Sequence, residues 1–232
     1  MACELVQSVP HRTARLRPVS ARPSSPSTLS HLPPRAVAMP SRLMTAKLPI
    51  RGAIVRNGAE GRELMMARWG MPSPFEILKG KNRDPGVTNI RNVSSPHWRR
   101  WLGVENRCVV PFSSFAENEV LPDGSRPLVW FAFDESRPLA FFAGLWTRWT
   151  SVRKVKEGQT TNDLYGFLTT APNVELKAIH PKAMPVVLAT PAEVDAWLTS
   201  PTQEALALQR PWPDGSLKIV VRGDRTGDGA PS

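Results

Sequence analysis

Glu117 closes the run Arg107-Cys108-Val109-Val110-Pro111-Phe112-Ser113-Ser114-Phe115-Ala116, a carboxylate at the end of a largely apolar stretch. His180 stands in Ala178-Ile179-His180-Pro181-Lys182-Ala183-Met184-Pro185, and Asn89 in Thr88-Asn89-Ile90-Arg91-Asn92. Trp69 opens Trp69-Gly70-Met71-Pro72. A carboxylate and an imidazole are the groups on which general acid–base catalysis most often draws. Each residue also has an ordinary reading. Glu117 suits a solvated loop, His180 a turn before proline, Asn89 an Asx-turn and Trp69 a core. Cys108, inside an apolar run, reads as a buried structural cysteine.

Other chemistries lack their signatures. Neither a P-loop nor a glycine-rich dinucleotide fingerprint occurs. The histidines His11, His31, His97 and His180 and the cysteines Cys3 and Cys108 have no metal-ligand spacing, so no metal and no cofactor is expected.

The elements that must hold these residues are mostly short and β-rich. Strands are predicted over 63–69, 107–112, 128–133, 139–146, 164–169 and 186–189, with a last one at 218–221. Turn signals such as Pro122-Asp123-Gly124 separate them. Thr190-Pro191 with Glu193 in the first turn predicts a helix to about Leu198. Further helices are expected over 202–208 and 96–102. Strands and helices do not alternate regularly, so the fold class is α+β and mainly antiparallel rather than a doubly wound parallel sheet.

Composition sets the boundaries. The chain has 232 residues, with 30 Lys+Arg against 20 Asp+Glu, and 41% are hydrophobic, enough for one cored domain. No apolar run approaches the roughly 18 residues that would suggest a membrane span, and no secretory signal pattern opens the chain. Two distant cysteines argue against a disulfide scaffold and fit a reducing compartment. Residues 1–47 hold seven Lys+Arg, one acid, seven prolines, seven serines and no glycine, without hydrophobic period. This segment is expected to be a disordered basic arm, the folded body to run over 48–222, and 223–232 to be a disordered tail.

Taken in order, Trp69-Gly70-Met71-Pro72, Asn89-Ile90-Arg91, Arg107 to Glu117, Thr169-Thr170-Ala171-Pro172-Asn173 and His180 to Pro185 resemble the motifs of the SRAP family. These are the SOS response-associated peptidases, also called abasic-site processing proteins, and the resemblance covers about residues 50–190. It implies a compact, barrel-like core of antiparallel sheets with flanking helices. It implies binding of single-stranded DNA that carries abasic sites, and a covalent thiazolidine crosslink formed by an N-terminal cysteine. A bacterial cytoplasmic monomer, associated with the nucleoid when bound to DNA and with no membrane partner, is the matching expectation. By the same resemblance Cys3 is the nucleophile, Glu117 the general acid/base and His180 the group at the deoxyribose oxygen. Asn89 orients the lesion, Arg91 contacts phosphate and Trp69 offers an apolar face to a base.

The N-terminus departs from that pattern. The chain begins Met1-Ala2-Cys3, so Cys3 carries an amide nitrogen unless both preceding residues are removed. Glu4-Leu5-Val6-Gln7-Ser8 can be encoded GAA CTT GTA CAG TCN, which one base out of register reads Asn-Leu-Tyr-Ser, as family members do after their cysteine. Residues 1 to about 47 are therefore expected to be a frame-shifted translation, with the N-terminal strand lost and a sheet edge exposed. Lys182 stands where the family commonly has arginine, and the first motif is one residue short. Two alternatives follow: a cysteine-dependent peptidase that removes its own leader, and a non-catalytic single-strand binder.

Overall fold

The computed structural model describes residues 6–8 and 51–223. Its strands are β1 (Val6–Ser8), β2 (Arg51–Gly58), β3 (Gly61–Trp69), β4 (Asn89–Ile90), β5 (Arg107–Phe112) and β6 (Ser114–Asn118). They continue with β7 (Leu128–Ala132), β8 (Ala140–Val152), β9 (Gln159–Thr170), β10 (Met184–Pro185), β11 (Val187–Leu188) and β12 (Lys218–Arg222). The helices are α1 (Phe75–Leu78), α2 (Pro96–Arg99), α3 (Val174–Ile179), α4 (Pro191–Thr199) and α5 (Thr202–Leu206).

Side chains alternate along a strand, so one face of each strand can be apolar and inward while the other meets different neighbours. Ile54, Ala67, Cys108, Val110, Phe112, Phe142, Tyr165 and Phe167 occupy such alternate positions and form one buried cluster. Their strands pair in the order β9-β3-β2-β5-β8, and β8 returns to β9, closing a five-stranded barrel around that cluster. The interior is filled by side chains, as a barrel of few strands requires. Val55, Val109, Leu145, Leu164 and Leu168 point outward into a second cluster with Trp98, Trp101, Val194 and Trp197 from the helical segments. The barrel thus supplies an inner core and a helix-covered outer face.

A smaller sheet, β1-β6-β7-β12, extends from the barrel wall. The chain leaves β5 and enters β6 after one residue, Ser113, so Phe115 continues the inner cluster into this sheet. Phe112 stacks on Phe142 with ring centroids 3.9 Å apart and meets Phe115 edge-on at 5.8 Å, which fixes the angle between sheet and barrel.

Most pairings are antiparallel, as expected, but β3 and β4 both run parallel to β9. The strands predicted at 63–69, 107–112, 128–133, 139–146, 164–169 and 218–221 all appear, several longer than expected. The predicted 186–189 run appears only as the two-residue β11, with the unpredicted β10 just before it. β2, β4 and β6 were not predicted. Nor were α1 and α3. The helix after Thr190 is present with a capping box: Thr190 Oγ1 accepts from the Glu193 amide at 3.2 Å, and Glu193 Oε2 accepts from the Thr190 amide at 3.1 Å.

β1 lies within the stretch expected to be disordered, and it occupies the sheet edge expected to be bare, with Val6 opposite Ala116, Gln7 opposite Phe115 and Ser8 opposite Ser114. Ladder hydrogen bonds are made by backbone groups, so Val-Gln-Ser can serve as an edge strand where another triplet would. Cys3, the rest of residues 1–47 other than Val6–Ser8, and nearly all of the expected tail lie outside the described residues.

Arg107, the first residue of the third motif, is only 1% exposed. Its Nε donates to Leu102 O at 2.9 Å, its Nη1 to Trp197 O at 3.1 Å and Ser200 O at 2.7 Å, and its Nη2 to Thr202 Oγ1 at 3.0 Å. Trp197 and Ser200 end α4, where a cation is favoured by the helix dipole. Burial lowers its proton affinity, and Glu105 opposes that shift. Arg107 therefore bolts α4 and α5 to the barrel. An Arg107→Met substitution leaves those buried carbonyls unpaired and should cost about 3 kcal/mol, read as a lower urea midpoint at unchanged slope.

Candidate functional site

β3, β9 and β5 end, and β2 and β8 begin, at the same mouth of the barrel, as their antiparallel and parallel registers require. Trp69 is the last residue of β3 and packs its ring against Phe167 of β9, centroids 5.5 Å apart and planes 23° from parallel. Asn89 lies beside that same Phe167 in the parallel pairing of β4 with β9. Its neighbour Ile90 points into the outer cluster, so alternation turns Asn89 toward the inner face that Phe167 shares. The Oδ1 of Asn89 and the Nε1 of Trp69 are both buried and without a hydrogen-bond partner among the described residues.

Trp69 is held by the turn that follows it. Gly70 has φ +112° and Gly86 φ +83°, values that side-chain-bearing residues rarely adopt, and their backbones touch. A Cβ on Gly86 would strike Arg153 Nη1. Arg153, itself buried, donates through Nη2 to Gly70 O and pairs with Asp84 Oδ1 at 3.7 Å. Asp84 in turn accepts from Ser73 Oγ at 2.6 Å and the Gly86 amide at 2.8 Å. The sequence reading named Gly70 without a reason. The reason is that two glycines and a buried arginine–aspartate pair fold this turn against the end of the β8–β9 hairpin.

Glu117 reaches the mouth from the smaller sheet. It shares the inner face of β6 with Phe115, two residues earlier, and its side chain is only 2% exposed. His180 comes from the opposite direction. Asn173 caps α3 by accepting from the Leu176 amide at 3.2 Å, and His180 ends that helix, its own amide donating to Leu176 O at 2.7 Å. The motif asparagine Asn173 thus acts at one end of α3 to place the histidine at the other. From there His180 Nδ1 lies 3.8 Å from Glu117 Oε2. That is close enough for charge interaction but too long for a hydrogen bond.

The carboxylate alone would favour the imidazolium. Burial acts the other way and is the larger effect, and the Lys182 ammonium adds to it, so the His180 pKa falls below the ordinary histidine value. At neutral pH His180 is an unprotonated imidazole beside a buried carboxyl group, the arrangement of a base with a group that can steady its protonated form.

Arg91, expected at phosphate, donates through Nη1 to Lys182 O at 2.5 Å, tying β4 to the loop after His180. Gln209 Nε2 donates to Arg91 O at 2.8 Å and Thr169 O at 3.0 Å, joining the ends of β4 and β9. The sequence reading missed Gln209, and nothing about an isolated glutamine past a short helix would have marked it. Cys108 is fully buried and its thiol is pushed far up by desolvation, so it offers no thiolate. Among the described residues no three His, Cys, Asp or Glu side chains gather as a metal site would need. No helix among them is long and apolar enough to cross a membrane.

The structure brings Trp69, Asn89, Arg91, Glu117 and His180 to one mouth, and Cys3 lies outside the described residues. Comparison with known proteins agrees with the motif reading. A family model described as SOS response associated peptidase (SRAP) matches residues 33–222, beginning ahead of the expected boundary at Leu48. Among solved structures, an X-ray crystal structure of a protein from Bacteroides thetaiotaomicron superposes with a TM-score of 0.56 at 20% identity, covering 73% of this chain and 72% of that one. At that identity it attests the fold. No curated protein matches the chain.

The lowered pKa of His180 has a consequence for stability. Unfolded, the imidazole takes up a proton near its ordinary 6.5, whereas folded it does so only at lower pH. The unfolded state therefore binds more protons in that interval, and stability present above about pH 6.5 is lost as pH falls toward the folded value. His180→Gln should lose less stability than the unaltered chain between pH 7 and pH 5, measured by urea midpoints at both pH values.

Proposed function

The chain belongs to the SOS response associated peptidase (SRAP) family, and from that premise we propose that it captures abasic sites in single-stranded DNA as covalent adducts. The observation that carries this reading is the meeting of Glu117, His180 and Asn89 at one barrel mouth, beneath the edge on which β1 lies. The abasic sugar enters as its ring-opened aldehyde. Glu117 and His180 exchange protons with the attacking amine and the sugar oxygen. Asn89 Oδ1 and Trp69 Nε1, without partners among the described residues, suit a ligand that supplies hydrogen-bonding groups of its own. Arg91 is exposed and meets a phosphate while keeping its bond to Lys182 O.

Thiazolidine formation needs an amine and a thiol on adjacent carbons, which a cysteine offers only as the first residue. The ring then closes within one molecule, at small entropic cost. Val6 of β1 pairs with Ala116, the neighbour of Glu117, which supports that role for Cys3, three residues earlier in the sequence. Met1 and Ala2 must first be removed, and the same cysteine, carboxylate and imidazole suit cleavage of that short leader.

Intact mass of the purified chain, before and after mixing with single-stranded DNA carrying one abasic site, tests both steps. The expected result is loss of Met1-Ala2 and a one-to-one DNA adduct that Cys3→Ala abolishes. Salt-sensitive binding with no adduct would instead mean a binder without its nucleophile.

A further inference from the structure

We propose that Lys182 is a second nucleophile at this mouth, and that its ε-amine cleaves DNA at abasic sites by β-elimination. This rests on the reading above that the mouth receives abasic DNA, and it adds an activity that needs no processing of the N-terminus.

Lys182 is exposed and stands two residues beyond His180, in the loop between α3 and β10. Its backbone is fixed where it matters: Arg91 Nη1 holds its carbonyl, and Gln209 holds the Arg91 carbonyl in turn. Its ammonium lies near enough to the imidazole to depress the proton affinity of His180, behind the larger effect of burial. A primary amine, an unprotonated imidazole and a buried carboxyl group are therefore grouped within one short loop and the strand facing it. A guanidinium at position 182 would carry the same charge but no nucleophilic lone pair at neutral pH.

The chemistry balances without a further reagent. The Lys182 ammonium first gives a proton to water; the freed amine adds to the C1′ aldehyde, and the adduct loses water to form an imine that is protonated to the iminium. The iminium withdraws electrons and acidifies C2′. His180 takes a C2′ proton, the electron pair forms the C1′–C2′ enamine, and the C3′–O bond breaks, expelling the downstream strand as a 5′-phosphate. The Glu117 carboxylate, 3.8 Å from Nδ1, steadies the imidazolium formed in that step. Water then hydrolyses the unsaturated imine, restoring the amine and leaving an unsaturated aldehyde on the upstream strand. The water lost in imine formation is returned, and nothing is oxidised or reduced.

The test uses the full chain and a single-stranded oligonucleotide with one natural abasic site, with borohydride present to reduce any iminium to a stable secondary amine. Cys3→Ala should retain strand cleavage and a trapped adduct whose peptide mass maps to Lys182. Adding Lys182→Arg should reduce both at least tenfold. Trapping on another residue, or cleavage unchanged by Lys182→Arg, overturns the proposal. A parallel binding measurement uses an oligonucleotide with a tetrahydrofuran abasic analogue, which has no aldehyde. Binding without trapping at Lys182 sinks this inference alone, whereas absence of binding sinks the reading of the site as well.

Discussion

The backbone ladder of one strand, β9, sets the spacing of everything at the barrel mouth. Over residues 164–170 it hydrogen-bonds on one edge first to β3 and then to β4, while at its end it receives β10. Trp69, Asn89 and the loop that carries His180 are therefore positioned by successive registers on a single template. Such pairing fixes side chains to one face without any contact among them, and a slip by one residue would turn each to the wrong side. The segment 184–188 wedges between β8 and β9 where those strands part: Met184 pairs with Thr170, Val187 with Phe142, and the Val186 amide donates to Leu168 O at 2.9 Å. Closing the barrel and placing His180 are thus one structural event.

Glu117 arrives by a different route, which explains why its carboxyl can be buried at all. The single-residue step from β5 to β6 carries the inner apolar face out of the barrel, and Glu117 stands at the end of that face, where the cluster stops and the mouth begins. Burying an ionisable group is costly unless it is compensated, and the facing imidazole supplies an opposite charge when it takes up a proton. The turn after Trp69 has the same character, since Arg153 and Asp84 are buried only as a pair and only with Gly70, Gly86 and Ser73 closing around them.

Much of this was legible in the residues. The alternating runs at 63–69 and 107–112 were readable because period-two patterns and turn signals are local. So was the capping box at Thr190, because Thr190, Pro191 and Glu193 are adjacent in sequence. The motif order singled out these residues before any of them could be seen together. Several elements were not legible, four of them for physical reasons that differ. β2 reads Arg-Gly-Ala-Ile-Val-Arg-Asn-Gly, and its two glycines and flanking arginines hide a central barrel strand. β4 is only two residues long and exists because β9 pairs with it. α3 depends on a cap from Asn173 that was read as part of a motif. β1 pairs through backbone groups, on which a reading of side chains is silent. For the three strands tertiary pairing, rather than local pattern, decides the element.

The central claim is that DNA enters the mouth formed by β4, the end of β6 and the loop after His180. Hydrogen exchange of the full chain, with and without single-stranded DNA carrying the tetrahydrofuran abasic analogue, addresses it directly. The account predicts added protection at residues 88–92, 114–118 and 180–185, with α4 and α5 unchanged. Protection confined to the α4–α5 face, or absent at the mouth while the DNA is bound, would contradict it.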